Sequence, residues 1–89
     1  MVCSMINISD VRPIVLKFAS EMERVLKEND SKGGWQDCDI KYLQARLVEE
    51  LGEYFAMVAK GSPSCYQTYQ FKNELLDIAN FAMMLWDRS

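Results

Sequence analysis

The chain has 89 residues, nearly half of them apolar, and a formal charge of −3 with acids and bases interspersed. That length makes one small domain spanning 1–89, and the charge pattern excludes a protein that grips nucleic acid through a broad basic surface. No apolar run is long enough to span a membrane, and the N-terminus lacks the charged and apolar regions of a secretory signal. Cys3, Cys38 and Cys65 are odd in number and lack zinc-type spacing, so they read as free thiols in a soluble, cytoplasmic protein.

Ser9 is a candidate N-cap for a first helix in which Pro13 falls in the first turn, where its missing N–H is tolerated. Ile14, Phe18, Met22 and Val25 follow as a helical stripe that ends near Asn29. The segment NDSKGGWQDCD is a loop, because Gly33 and Gly34 break the helix and Asn, Asp and Ser favour turns. Asp39 or Asp37 caps a second helix that runs to about Lys60, where Gly61 and then Pro63 stop it. Ser64 with Gln67 matches a capping box and marks the start of a third helix. The expected fold is all-α. Helices two and three form an antiparallel hairpin, helix one covers one side, and the short bundle is completed by homo-oligomerisation, because too few polar residues exist to cover the apolar ones.

Two pairs of carboxylates interrupt the apolar helical sequence: Glu50 and Glu53 in LVEELGEYFAMV, and Glu74 and Asp77 in NELLDIANFAMML. Each pair is spaced i, i+3 and so projects from one side of its helix. At about 100° per residue, Leu43, Leu47, Tyr54, Met57 and Val58 form a stripe with Glu50 in its middle and Glu53 on its flank. Glu49 lies further round. On the third helix the same construction gives a stripe of Phe71, Leu75, Ile78, Ala82 and Leu85, with Glu74 at its edge and Asp77 beside Phe81 and Met84. That helix is apolar on most sides, which marks an interior element. Four acids in such surroundings need a neutralising cation. With no histidine in the chain, the donor set is oxygen only and suits Mg²⁺, or Mn²⁺ in its place, better than zinc or copper. It also excludes Glu-x-x-His di-iron sites and histidine-based acid–base schemes, and it leaves phosphate-ester or phosphoanhydride chemistry in front.

EELGE at 49–53 and ELLD at 74–77, with KGGW before the second helix and DIANFAMML around the last acid, resemble the EExxE and ExxD signature of the MazG-like nucleotide pyrophosphohydrolases. The resemblance runs from Lys32 over most of the chain. It implies an all-α NTP pyrophosphatase domain that uses Mg²⁺ to cleave nucleoside triphosphates between the α and β phosphates, giving monophosphate and pyrophosphate, as in nucleotide-pool housecleaning. It also implies that Glu50, Glu53, Glu74 and Asp77 are metal ligands and that Glu49, Glu50 and Glu53 are catalytic. For Glu49 three roles stay open: orienting water, binding a second ion, or simple solvation. The expected assembly is a dimer or a dimer of dimers, and because the chain is shorter than many members, a neighbouring subunit is expected to supply base or phosphate contacts.

The substrate-binding candidates are Trp35, Lys32, Lys60, Lys72 and Asn80. Trp35 can stack on a nucleobase or pack as a lid or interface residue. The three lysines can reach phosphates as point charges or remain solvated. Asn80 can contact the metal shell or a sugar, or be a buried amide bonded to a neighbouring helix. Arg46, one turn before Glu50, can bridge to it and fix its rotamer or contact a phosphate, and the bridge is the expected role. Tyr42, Tyr54, Tyr66 and Tyr69 are weaker ligand contacts, and Phe81, Met83, Met84 and Trp86 belong to core and interface. The competing function is a helical oligomer that binds nucleotides or a protein partner without turnover.

Overall fold

A computed structural model describes residues 6–61 and 69–89. It contains helices α1 (Pro13–Glu28), α2 (Ile40–Ala59) and α3 (Tyr69–Arg88), two short 3-10 turns at Ile8–Asp10 and Asp30–Lys32, and no strand among the described residues. The protein is therefore all-α. No helix among the described residues is long and apolar enough to cross a membrane.

Pro13 occupies the first position of α1, and Arg12 stands at the N-cap with extended backbone and no side-chain capping bond. The cap expected at Ser9 is thereby corrected: Ser9 sits in the separate 3-10 turn. A residue before proline is pushed out of the helical region, so Arg12 (φ −58°, ψ 138°) ends any helical path upstream. At the other end, Asn29 closes α1 by donating from Nδ2 to the Val25 carbonyl at 2.9 Å. The chain then turns through Gly33, whose φ of 93° favours glycine, and enters α2. Asp39 is the cap that forms, accepting the Lys41 N–H at 3.0 Å; Asp37 plays no such part. Lys60 terminates α2, and Gly61 follows where a Cβ would stand 2.5 Å from the Val58 carbonyl oxygen. Pro63, Cys3, Cys65, Tyr66 and the Ser64–Gln67 box lie outside the described residues.

α3 is the central element: it packs along α2 and, over a shorter stretch, on α1, while α1 and α2 do not meet. The hairpin is antiparallel, since Arg88 at the end of α3 bonds to Cys38 just before α2, whereas Phe71 at the start of α3 lies edge-on to Tyr54 at 5.7 Å. Among the described residues Leu43, Phe71 and Leu76 are the buried apolar side chains, each contributing roughly 1.5–3 kcal/mol by leaving water. On α2 the expected stripe is the one that turns inward, from Leu43 through Glu50 to Met57 and Val58. On α3 it is not. Leu75 is 42 % exposed and Ala82 is exposed, whereas Leu76 and Asn80, roughly 140–180° round from Phe71, are buried. α3 packs on two neighbours, so the positions of α1 and α2 together decide which of its faces are buried. The α1 stripe is also only half used: Met22 and Val25 are half-buried, but Ile14 and Phe18 are exposed.

Candidate metal centre

Glu50 shares its face of α2 with Leu43 and is itself 6 % exposed. Because α2 and α3 run antiparallel, the middle of α2 comes level with the first half of α3, where Glu74 and Asp77 are one turn apart. One carboxylate oxygen from each of Glu50, Glu74 and Asp77 lies within 4.8 Å of the others. Glu53 is exposed and outside that triad, but its charge acts on both Glu74 and Asp77. Glu49 faces solvent, and its Oε2 accepts from Arg46 at 2.6 Å.

Arg46 organises one side of the cluster. Its Nη2 donates to Glu50 Oε1 at 3.1 Å, Nη1 holds Glu49, and the guanidinium lies 5.1 Å over the ring of Phe81. Partial burial works against the Arg46 charge, but the hydrogen bond to Glu49 and the charges of Glu49 and Glu50 more than restore it, so its pKa is raised. One guanidinium cannot balance the group. Glu50 Oε2 and Glu74 Oε1 are buried without a hydrogen-bond partner. Burial, then hydrogen bonds to Glu50 and Glu53 that favour the protonated acid, then their charges, push the Glu74 carboxyl up to about 8. Asp77 is raised as well, by burial and then by Glu50 and Glu53, with Arg46 opposing.

Unpaired buried carboxylate oxygens, an oxygen-only donor set and carboxyls that resist ionisation together fit a hard divalent cation. Glu50, Glu74 and Asp77 would hold it.

Beside the triad lies an open cavity of about 510 Å³, bordered by α1, α2, α3 and the loop before α2. Glu50 and Asp77 reach its wall, as do Trp35, Lys32 and Asn80. Trp35 is half-buried and donates its indole N–H to Asp87 Oδ2 at 3.0 Å. Asn80 is 3 % exposed; its Nδ2 donates to the Met22 carbonyl of α1 at 3.3 Å, while Oδ1 is buried and unpartnered. Lys60 and Lys72 stand elsewhere. Lys60 caps α2 ten residues beyond Glu50, about 15 Å along the axis. Lys72 borders the groove between α1 and α3. The residues that sequence reasoning missed are Asp87 and Arg88, which hold the loop before α2. Their bonds span 50 to 53 positions, and no local pattern announces a contact of that range.

Fold and site together define an all-α protein with an acidic, metal-competent cluster at the edge of a cavity. The chain belongs to the same family as an "Uncharacterized protein" of Archaeoglobus fulgidus, to which it is 34% identical over 70 residues, 79% of this chain and 70% of the relative. No family model and no solved structure matches it.

Proposed function

We propose that this protein is a Mg²⁺-dependent nucleoside triphosphate pyrophosphohydrolase of the MazG-like kind, with Mn²⁺ able to replace Mg²⁺, working as a homo-oligomer. The observation that carries the proposal is the meeting of Glu50, Glu74 and Asp77 at 4.8 Å or less, with Glu50 and Asp77 on the wall of a cavity of about 510 Å³, a volume within the range of small-molecule sites. Those three residues are also three of the four acids that the EExxE and ExxD resemblance makes ligands. When bound, the cation supplies positive charge to phosphoryl oxygens and lowers the pKa of water. The chain's own residues do the rest. Arg46 holds the Glu50 carboxylate in one rotamer through Oε1 and leaves Oε2 for the cation. Glu53, exposed one turn further on, would join through solvent. Lys32 and Trp35 border the cavity, where a phosphate tail and a base can be received.

Oligomerisation is part of the same reading. Ile14, Phe18 and Leu75 around the α1/α3 groove, and Val48 and Phe55 on the outer side of α2, are apolar and at least 42 % exposed. Covering both faces makes a dimer of dimers.

The test is hydrolysis of a panel of canonical and modified NTPs and dNTPs with Mg²⁺, resolving monophosphate plus pyrophosphate from diphosphate plus phosphate. Wild-type protein should release monophosphate and pyrophosphate, and Glu50→Gln should lose this activity while keeping its helical content. Turnover unchanged in Glu50→Gln would remove the site assignment.

A further inference from the structure

We propose that Asp87 and Arg88, the last two residues of α3, are positioning residues for the nucleotide site: they fasten the loop before α2 and so hold the Trp35 indole at the cavity wall. The inference rests on the nucleotide reading above and adds to it the residues that set how the base is received.

Residues 33–38 have few internal supports. Gly33 at φ 93° and Gly34 precede Trp35, and glycine loses more conformational freedom on folding than any other residue, so the backbone here needs an external anchor. The anchor comes from the far end of the chain. Arg88 Nη1 donates to the Trp35 carbonyl at 3.2 Å and to the Cys38 carbonyl, which also brackets the turn closed by the Cys38 N–H on Trp35 O at 3.1 Å. Asp87 Oδ2 accepts the indole N–H at 3.0 Å. An indole has one donor and no acceptor. With that donor committed to Asp87, Trp35 retains only its π faces for a ligand. Its contribution is then stacking, which tolerates different bases, rather than hydrogen-bonded selection among them. Asp87 is exposed and forms no part of the cavity wall, so it acts through Trp35.

The test is a double-mutant cycle on the nucleotide that the hydrolysis panel identifies, with kcat, KM and Mg²⁺ affinity measured for wild type, Asp87→Ala, Trp35→Phe and the double variant. Losing a hydrogen bond to a charged group should raise KM on the order of 10-fold in Asp87→Ala, with kcat and Mg²⁺ affinity changed by less than about twofold. In the Trp35→Phe background, which has no indole N–H, the same substitution should change KM by less than about twofold. Asp87→Asn keeps an acceptor oxygen and should stay within about threefold of wild type. Equal KM increases in both backgrounds, or a lower melting temperature with unchanged KM, would overturn the positioning role and leave a structural contact. A wild type that turns over no nucleotide overturns the functional reading itself, and this inference with it.

Discussion

Glu74 is the residue at which the stability of the metal-free chain opposes the cation site we propose. Its carboxyl titrates at about 8 in the folded chain, against an ordinary value of 4.5. Between those values the metal-free folded state holds a proton that the unfolded chain has released, so the slope of stability with pH is negative there. Below 4.5 both states are protonated; above 8 neither is, and the loss is complete. Asp77, also raised, contributes with the same sign. Metal-free protein should therefore unfold at lower denaturant concentration at pH 8 than at pH 5.5, and Glu74→Gln should flatten the difference. A wild-type midpoint that climbs with pH more steeply than that of Glu74→Gln would contradict the assignment. In the proposed site Mg²⁺ would compete with the proton for the same oxygens, so its binding should tighten from pH 6 to pH 8 and release protons, measurable as a buffer-dependent heat in calorimetry. Glu49, paired with Arg46 in solvent, is different: Glu49→Gln should leave Mg²⁺ affinity within about twofold, as expected of an exposed pair.

At the scale of helices, what could be seen in the sequence depended on how many neighbours each helix packs against. α2 packs on α3 alone, so one face turns inward, and the burial of Glu50 beside Leu43 follows from a period of 3.6. α3 lies between two neighbours, and the face that carries Leu76 and Asn80 is chosen by where they pack. The start of α1 turned on a competition in which the backbone restriction before Pro13 outweighs the capping ability of Ser9. The acids of the triad were legible because each belongs to a helical pattern, whereas the Trp35–Asp87 bond belongs to none. The choice between Asp37 and Asp39 as cap of α2 can be checked in solution. Asp39→Ala should cost about 1 kcal/mol by urea denaturation, the usual worth of an N-cap, and Asp37→Ala should cost less than about 0.5 kcal/mol. Equal losses would mean that the cap does not discriminate between them.

The whole molecule is larger in radius than its length warrants. A compact chain of this size has a radius of gyration of about 12 Å. This one has 15.0 Å, with extents of 45 × 33 × 26 Å. The excess follows from the packing: α3 is flanked by α1 and α2 on different sides, and no described element covers the outer surfaces of either. Two apolar faces result. One is the α1/α3 groove with Ile14, Phe18 and Leu75; the other is the row of Val48 and Phe55, seven residues apart on α2 and 66 % and 64 % exposed. Since the faces lie on different helices, a dimer of dimers should come apart in two independent steps. Phe18→Glu should break association through the groove, Phe55→Glu should break it through α2, and each single variant should sediment as a dimer. The double variant should be a monomer with a lower and concentration-independent melting temperature, because the linkage between assembly and folding has gone. A wild type that sediments as a monomer at micromolar concentration would show that both faces stay in water. One single variant that falls directly to monomer would show that one face alone holds the assembly.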